Sequence, residues 1–243
     1  MTTPERWEKS SGRVQWLTVL KPKYWTEAKK LLKGNDVFLE AGCGVGRKLF
    51  TLALDRRVRY AVGLDFSRHM LKIAKRFKSE HKIVNTCLVL GDIRCFPFKE
   101  GAFNLILSLG VVEHFLYPET LINEMGHALK VDGHLLIVTP NKKSLGTTKS
   151  WVYRAEKIVG KQDLYSPREL AFLVKKCNMH VVKAYSDDFG SSVATLVINR
   201  IPGLLPNLLR DAARTIIRLS FHILNPVMKD RGFSSIVVAR KTK

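Results

Sequence analysis

The sequence predicts an α/β fold, a mostly parallel sheet with helices on both faces, formed by one principal domain within 243 residues. Three observations lead there. Short apolar runs alternate with stretches of helical spacing from Asp36 to Tyr185, the pattern of strand, crossover helix and parallel strand. The first apolar run ends in three alternating glycines and passes at once into a helical pattern. A hydrophobic content of 46% is enough to fill a sheet covered on both sides.

The elements follow in order. A helix over Thr26 to Lys33 leads into a first strand, Asp36-Val37-Phe38-Leu39-Glu40, and the turn Ala41-Gly42-Cys43-Gly44-Val45-Gly46. Glycines there let the backbone turn sharply and bring bare N–H groups and a positive helix end to a small anionic or zwitterionic ligand. Cys43 fits the turn by its small size. Arg59 to Asp65 is a second strand, and its terminal acid follows the loop by about 20 residues, where a carboxylate can take both ribose hydroxyls. Ser67 is an N-cap for a helix over Arg68 to Lys78. A third strand, Thr86 to Leu90, ends in Gly91-Asp92-Ile93, and a fourth, Phe103 to Leu109, runs into Gly110-Val111-Val112-Glu113-His114. Leu129 to His134 reads as a turn before the fifth strand, Leu135 to Asn141. Ser166-Pro167-Arg168-Glu169 has the form of a capping box opening a helix to Cys177. Strands over Met179 to Tyr185 and Phe233 to Arg240 complete the set.

The dinucleotide fingerprint requires Gly or Ala where Arg47 stands, which argues against a nicotinamide enzyme. The run Glu40-x-Gly42-x-Gly44-x-Gly46, with the later landmarks at their intervals, resembles class I S-adenosylmethionine-dependent methyltransferases. Within them it is similar to the ubiquinone/menaquinone-biosynthesis group. The resemblance covers residues 36 to 141 closely and the remainder loosely. It implies a Rossmann-like seven-stranded sheet of order 3-2-1-4-5-7-6 with strand 7 antiparallel, and S-adenosylmethionine as cofactor. By the same resemblance Glu40, Gly42, Cys43, Gly44, Gly46, Asp65, Phe66, Gly91, Asp92, Ile93, Leu109 and Gly110 form the cofactor site, with Asp92 accepting from the adenine amino group. The expected organisation is a helical cap at 1–35, a cofactor-binding core at 36–189, an insertion at 190–232 and a last core strand at 233–243. Trp16 or Tyr24 of the cap lies near the methyl donor if the cap folds over the cofactor, whereas plain anchoring on the sheet is the simpler use of its aromatics.

His114 is the candidate general base, because imidazole titrates near neutrality and the residue follows the fourth strand. Some relatives carry Glu-x-x-Glu-His here with a divalent ion, but Gly110 replaces the first glutamate, so no metal is expected. The cysteines at 43, 87, 95 and 177 form no Cys-x-x-Cys pair, and Met1 to Arg6 opens no secretory signal. The expected setting is cytoplasmic.

Between the last two strands a hairpin needs only a few residues, yet the chain spends Gly190 to Gly232. An apolar stretch, Ser191 to Leu209, precedes a helical pattern in which Arg210, Arg214, Arg218 and His222 recur every four residues beside Leu209, Ala212, Ile216, Leu219 and Ile223. Such an element suits a lid over the site or a contact with an anionic membrane surface. Both imply a hydrophobic substrate or pocket, and the expected acceptor is a small hydrophobic or lipid-linked molecule methylated at oxygen. The formal net charge of +20 raises an RNA methyltransferase as the alternative, but no RNA-binding module is visible and nucleic acid ranks below a small molecule. A non-catalytic cofactor-binding scaffold is the third reading.

Overall fold

The computed structural model describes residues 23–147, 160–187, 189–198, 207–221 and 230–243, together with the isolated positions 152, 156, 224, 227 and 228. The expectations for Trp16 and His222 lie outside these residues, as do the side chains of Arg210, Arg214 and Arg218.

The elements are α1 (Lys23–Leu31), β1 (Asp36–Ala41), α2 (Arg47–Ala53), β2 (Val58–Asp65), α3 (Arg68–Glu80), β3 (Thr86–Leu90), β4 (Phe103–Leu109), a 3-10 turn (Val112–His114), α4 (Pro118–Ala128), β5 (Leu129–Pro140), α5 (Pro167–Lys176), β6 (His180–Ser186), α6 (Phe189–Ile198), α7 (Asn207–Ser220) and β7 (Ser234–Arg240). The seven strands lie in the order β3-β2-β1-β4-β5-β7-β6, as expected. β7 runs antiparallel to both β5 and β6, and the other described pairs are parallel.

Successive residues of a strand point to opposite faces, and here that alternation divides the core in two. On one face Leu39, Ile106, Leu135, Ile137 and Val237 pack with Leu121, Ile122 and Met125 of α4 and Leu170 and Val174 of α5. On the other, Phe38, Leu105, Leu107, Leu136, Val138 and Ile236 pack with Trp25 and Ala28 of α1, Leu49, Phe50 and Leu52 of α2, and Ala74 of α3. Trp25 is thus an anchor of the N-terminal helix. The turn expected before β5 is instead its bulged beginning. Leu129 already pairs with Phe103, the register shifts before Leu105, and Asp132 takes a φ of 60°.

Local signals hold the helix starts. Ser67 Oγ accepts from Met70 N at 3.2 Å to start α3. In α5 the capping box is complete, with Glu169 N donating to Ser166 Oγ and Ser166 N donating to Glu169 Oε2 at 2.9 Å. The inserted helices return to the core through a buried amide. Asn141 Nδ2, at the end of β5, donates to the carbonyls of Asp230 (2.8 Å) and Gly232 (2.9 Å). Ser144 and Ser192 hydroxyls meet at 2.6 Å and join α6 to the loop after β5.

Removing the capping hydroxyl leaves the Glu169 backbone N–H of α5 without its acceptor. Ser166→Ala should cost about 1 kcal/mol of stability, read as a lower urea midpoint with an unchanged slope.

Candidate active site

The carboxyl ends of β1, β2 and β4 converge on a cleft of about 700 Å³, open to solvent. Its first wall is the turn after β1. Gly42, Gly44 and Gly46 take φ of 77°, 53° and 78°, a left-handed backbone that side chains disfavour. The three glycines then serve different neighbours. A Cβ on Gly42 would sit 2.5 Å from Val111 Cγ2, and one on Gly46 would sit 2.5 Å from the Phe50 ring. A Cβ on Gly44 would meet nothing within 4 Å, because that position faces the cleft.

The turn is docked on β2. Gly42 N and Cys43 N both donate to the Leu64 carbonyl, at 2.8 and 3.0 Å. Gly44 N donates to Asp65 Oδ2 at 2.7 Å, and Ser67 N donates to Asp65 Oδ1 at 2.9 Å. Asp65 therefore faces the cleft and ties the two loops together, with burial pushing its carboxyl above the usual carboxylate range against those two hydrogen bonds.

Of the twelve residues expected around a cofactor, Gly42, Gly44, Asp65, Phe66, Gly91, Ile93, Leu109 and Gly110 line this cleft. His114, expected as the base, lines it as well. Glu40, Cys43, Gly46 and Asp92 are not among the lining residues. Cys43 is buried behind the turn with its sulfur against Gly63, Gly46 caps α2, and Asp92 pairs with Arg94 through Arg94 Nε at 2.9 and 3.0 Å. Glu40 is buried beneath the turn, where desolvation raises its pKa to about 8. Its Oε2 has no hydrogen-bond partner among the described residues.

Other lining residues carry weaker sequence signals. Met70 lies three positions after Ser67 on α3, and Val111 and Phe115 flank the 3-10 turn. Gly63 was not singled out by the motif, yet a Cβ there would meet Leu49 Cδ2 at 2.6 Å and Cys43 Sγ at 2.8 Å. A glycine inside a strand is the signal for such a close approach. Tyr24 of α1 stands beside this region. Burial, then the charges of Glu40 and Asp187, push its hydroxyl up to about 12, and Lys48 Nζ sits 5.9 Å from its ring centre.

The second wall carries the titratable pair. Burial pushes His114 down to about 4, although a hydrogen bond to the Lys161 carbonyl works the other way, so the imidazole is neutral at physiological pH. Burial pushes Glu113 up to about 8, and its Oε2 finds no hydrogen-bond partner among the described residues. The Glu113 carbonyl accepts from Asp163 N at 2.7 Å, which places the loop at 160–165 against this turn. Among the described residues no group of three or more His, Cys, Asp or Glu side chains is gathered as a metal would need.

The buried Glu113 carboxyl gives a pH test. Its folded pKa is raised, so its contribution is fully present below the ordinary value of 4.5 and is lost as pH rises through about 8. Glu113→Gln should match the parent in acid and exceed it by on the order of a few kcal/mol above that range, measured by urea unfolding across pH.

Comparison with known proteins agrees with the sheet and the turn. Residues 32–190 match the family described as "Methyltransferase domain". Uncharacterized protein MJ0638 of Methanocaldococcus jannaschii is 39% identical over 114 residues, 46% of this chain and 44% of that protein. A ubiquinone biosynthesis O-methyltransferase of Coxiella burnetii is 28% identical over 139 residues, 56% of this chain and 57% of that enzyme. The matches thus span about half the length of these curated relatives. Among solved structures, the chain in complex with the Trm112 methyltransferase activator of Haloferax volcanii superposes with a TM-score of 0.68 at 15% identity, covering 100% of this chain and 99% of that one. Geranyl diphosphate C-methyltransferase from Streptomyces coelicolor A3(2) gives 0.63 at 16% identity, covering 90% of this chain and 79% of that enzyme, a likeness of fold. With the family match running over more than half of the chain, and with a sheet order and glycine turn that agree with it, this protein belongs to the class I S-adenosylmethionine-dependent methyltransferases.

Proposed function

We propose that this chain methylates a small hydrophobic or lipid-linked acceptor at oxygen. The observation that carries the reading is a neutral His114 on the wall of the cleft, flanked by Val111 and Phe115, apolar residues that are not among those assigned to the cofactor. An apolar cleft with one basic nitrogen suits an acceptor that presents a hydroxyl on a greasy body. The relative named for ubiquinone biosynthesis acts, by that name, on oxygen.

The residues present fit S-adenosylmethionine. Gly44 leaves open space for close backbone approach, and Glu40 keeps a buried carboxyl oxygen without a hydrogen-bond partner among the described residues. In this reading Gly42 and Gly44 take the methionine portion, and Asp65 takes the ribose hydroxyls. Phe66, Gly91 and Ile93 take the base, while Asp92, whose carboxylate is bonded to Arg94, stays outside the cleft. When bound, the cofactor supplies a methyl group already activated by a sulfonium leaving group. The chain itself must align the acceptor, exclude water and move one proton. His114 donates one ring N–H to the Lys161 carbonyl, which orients the imidazole. The other ring nitrogen, Nδ1, is buried, so in this reading a turn of the ring on acceptor binding brings a nitrogen to the hydroxyl, and that nitrogen takes the proton as the oxygen is methylated. The depressed pKa keeps that nitrogen unprotonated over the whole neutral range, at the expense of basic strength.

Two variants separate binding from chemistry. Gly44→Val should weaken S-adenosylmethionine binding about tenfold or more, since any side chain there enters the cleft from a left-handed backbone. His114→Ala should leave that affinity within about twofold and lower turnover roughly a hundredfold or more, as followed by calorimetry and labelled methyl transfer. Turnover unchanged in His114→Ala would exclude it as the base.

The charge of +20 makes RNA the competing acceptor. Phosphate contacts release counterions, so RNA binding should be weak at physiological salt and fall steeply as salt rises. Tight binding there, with label transferred to RNA, would replace the small-molecule reading.

A further inference from the structure

The insertion carries an apolar face that the described residues leave exposed. In α7, Ile216 is 64% exposed and Leu219 60%, and beyond the helix Val227 is 79% exposed. Ala212 shares the exposed arc of α7, while Ala213 and Ile217 turn toward the protein and are half-buried. By helical register at about 100° per residue, Ala212, Ile216 and Leu219 fall within one narrow arc of α7. From residue 199 to residue 231 the sequence supplies Arg200, Arg210, Arg214, Arg218, Lys229 and Arg231 against only Asp211 and Asp230. An exposed apolar arc on a strongly amphipathic helix, within a cationic segment of a cationic chain, matches an anionic lipid surface in both chemistry and charge.

Topology relates this surface to the cleft. β1, β2, β4 and β5 are parallel, and β6 shares their direction because β7 is antiparallel to both of its neighbours. The insertion leaves the sheet after Ser186, at the end of β6, and re-enters at Ser234, at the start of β7. Both points lie on the sheet edge that bears the glycine turn and the cleft. The stem is fixed at that edge by Asn141 to Asp230 and Gly232, by Gly232 N to Ser186 Oγ at 3.0 Å, and by Ser234 N to Asp187 Oδ1 at 2.9 Å.

We infer that the exposed apolar arc of α7, with Val227 beyond it, docks on the headgroup region of an anionic phospholipid surface and brings the mouth of the cleft to that surface. The inference rests on the proposed acceptor class, for it gives a lipid-dissolved hydroxyl a path that avoids bulk water. Partition of the apolar side chains supplies the hold, and the arginines add attraction that salt screens.

The test is flotation of the full chain with vesicles of phosphatidylcholine alone and of equal parts phosphatidylcholine and phosphatidylglycerol. Wild type should float with the mixed vesicles, far less with phosphatidylcholine alone, and should be released by high salt. Ile216→Ser with Leu219→Ser should weaken capture about tenfold or more, since both side chains leave the apolar phase. Arg210→Gln with Arg214→Gln and Arg218→Gln should weaken it about a hundredfold, at on the order of 1 kcal/mol for each arginine. S-adenosylmethionine affinity, measured by calorimetry on the same preparations, should stay within about twofold and so report an intact fold. A wild type that ignores mixed vesicles overturns the inference, leaving the face to a lid movement or to a second copy of the chain. Apolar variants that float as well as wild type overturn it equally. Vesicle capture without S-adenosylmethionine binding would instead sink the transferase reading and leave the docking surface standing.

Discussion

Everything at the site depends on the docking of the turn after β1 onto the end of β2. Two amides, Gly42 N and Cys43 N, share the Leu64 carbonyl, and a third, Gly44 N, reaches the Asp65 carboxylate. These bonds require the backbone to run left-handed at Gly42 and Gly44, and Gly63 must lack a side chain so that Cys43 and Leu49 can lie directly on the strand. The same contacts fix where α2 begins and how its apolar side meets the sheet. Cofactor geometry and core packing are therefore one constraint, and a change that loosens either disturbs both.

Asp65 stands at the centre of that constraint with two duties. It closes the turn through Gly44 N and orders the start of α3 through Ser67 N, while one edge of its carboxyl faces the cleft. A carboxylate already held by two backbone donors needs little rearrangement to accept a ligand, because its rotamer is set in advance. Glu40 is different. It is buried without a donor for one oxygen, so its site stores a polar demand that a cationic group would meet.

Most of the fold was legible because the central strands are buried on both faces and carry apolar runs, as in Leu105 to Leu107 and Leu135 to Val138. The glycine turn and the terminal Asp65 were legible because each answers a local demand of backbone or charge. Long-range pairings were not. Nothing in the local sequence tells that Asn141 will bond to Asp230 and Gly232, or that Tyr24 will feel the charges of Glu40 and Asp187. Gly63 could have been flagged as a glycine inside a strand, but which side chains it admits depends on the helix that crosses it. The bulged start of β5 escaped because Asp132-Gly133 carries turn chemistry even when the strand continues through it.

The position of β7 has a consequence for how the chain assembles. It lies between β5 and β6, yet it is made after both of them and after the inserted helices. During synthesis the edge of β5 must wait, with open backbone hydrogen bonds, while the chain through residue 233 emerges, and β6 has no described strand to pair with until then. A waiting edge of this kind is a template for wrong partners. The bulge at Asp132 lies at the beginning of β5, and the serine contact ties the loop after it to α6. Every residue between Ser186 and Ser234 lengthens that wait, because all of them must be made before the edge is closed.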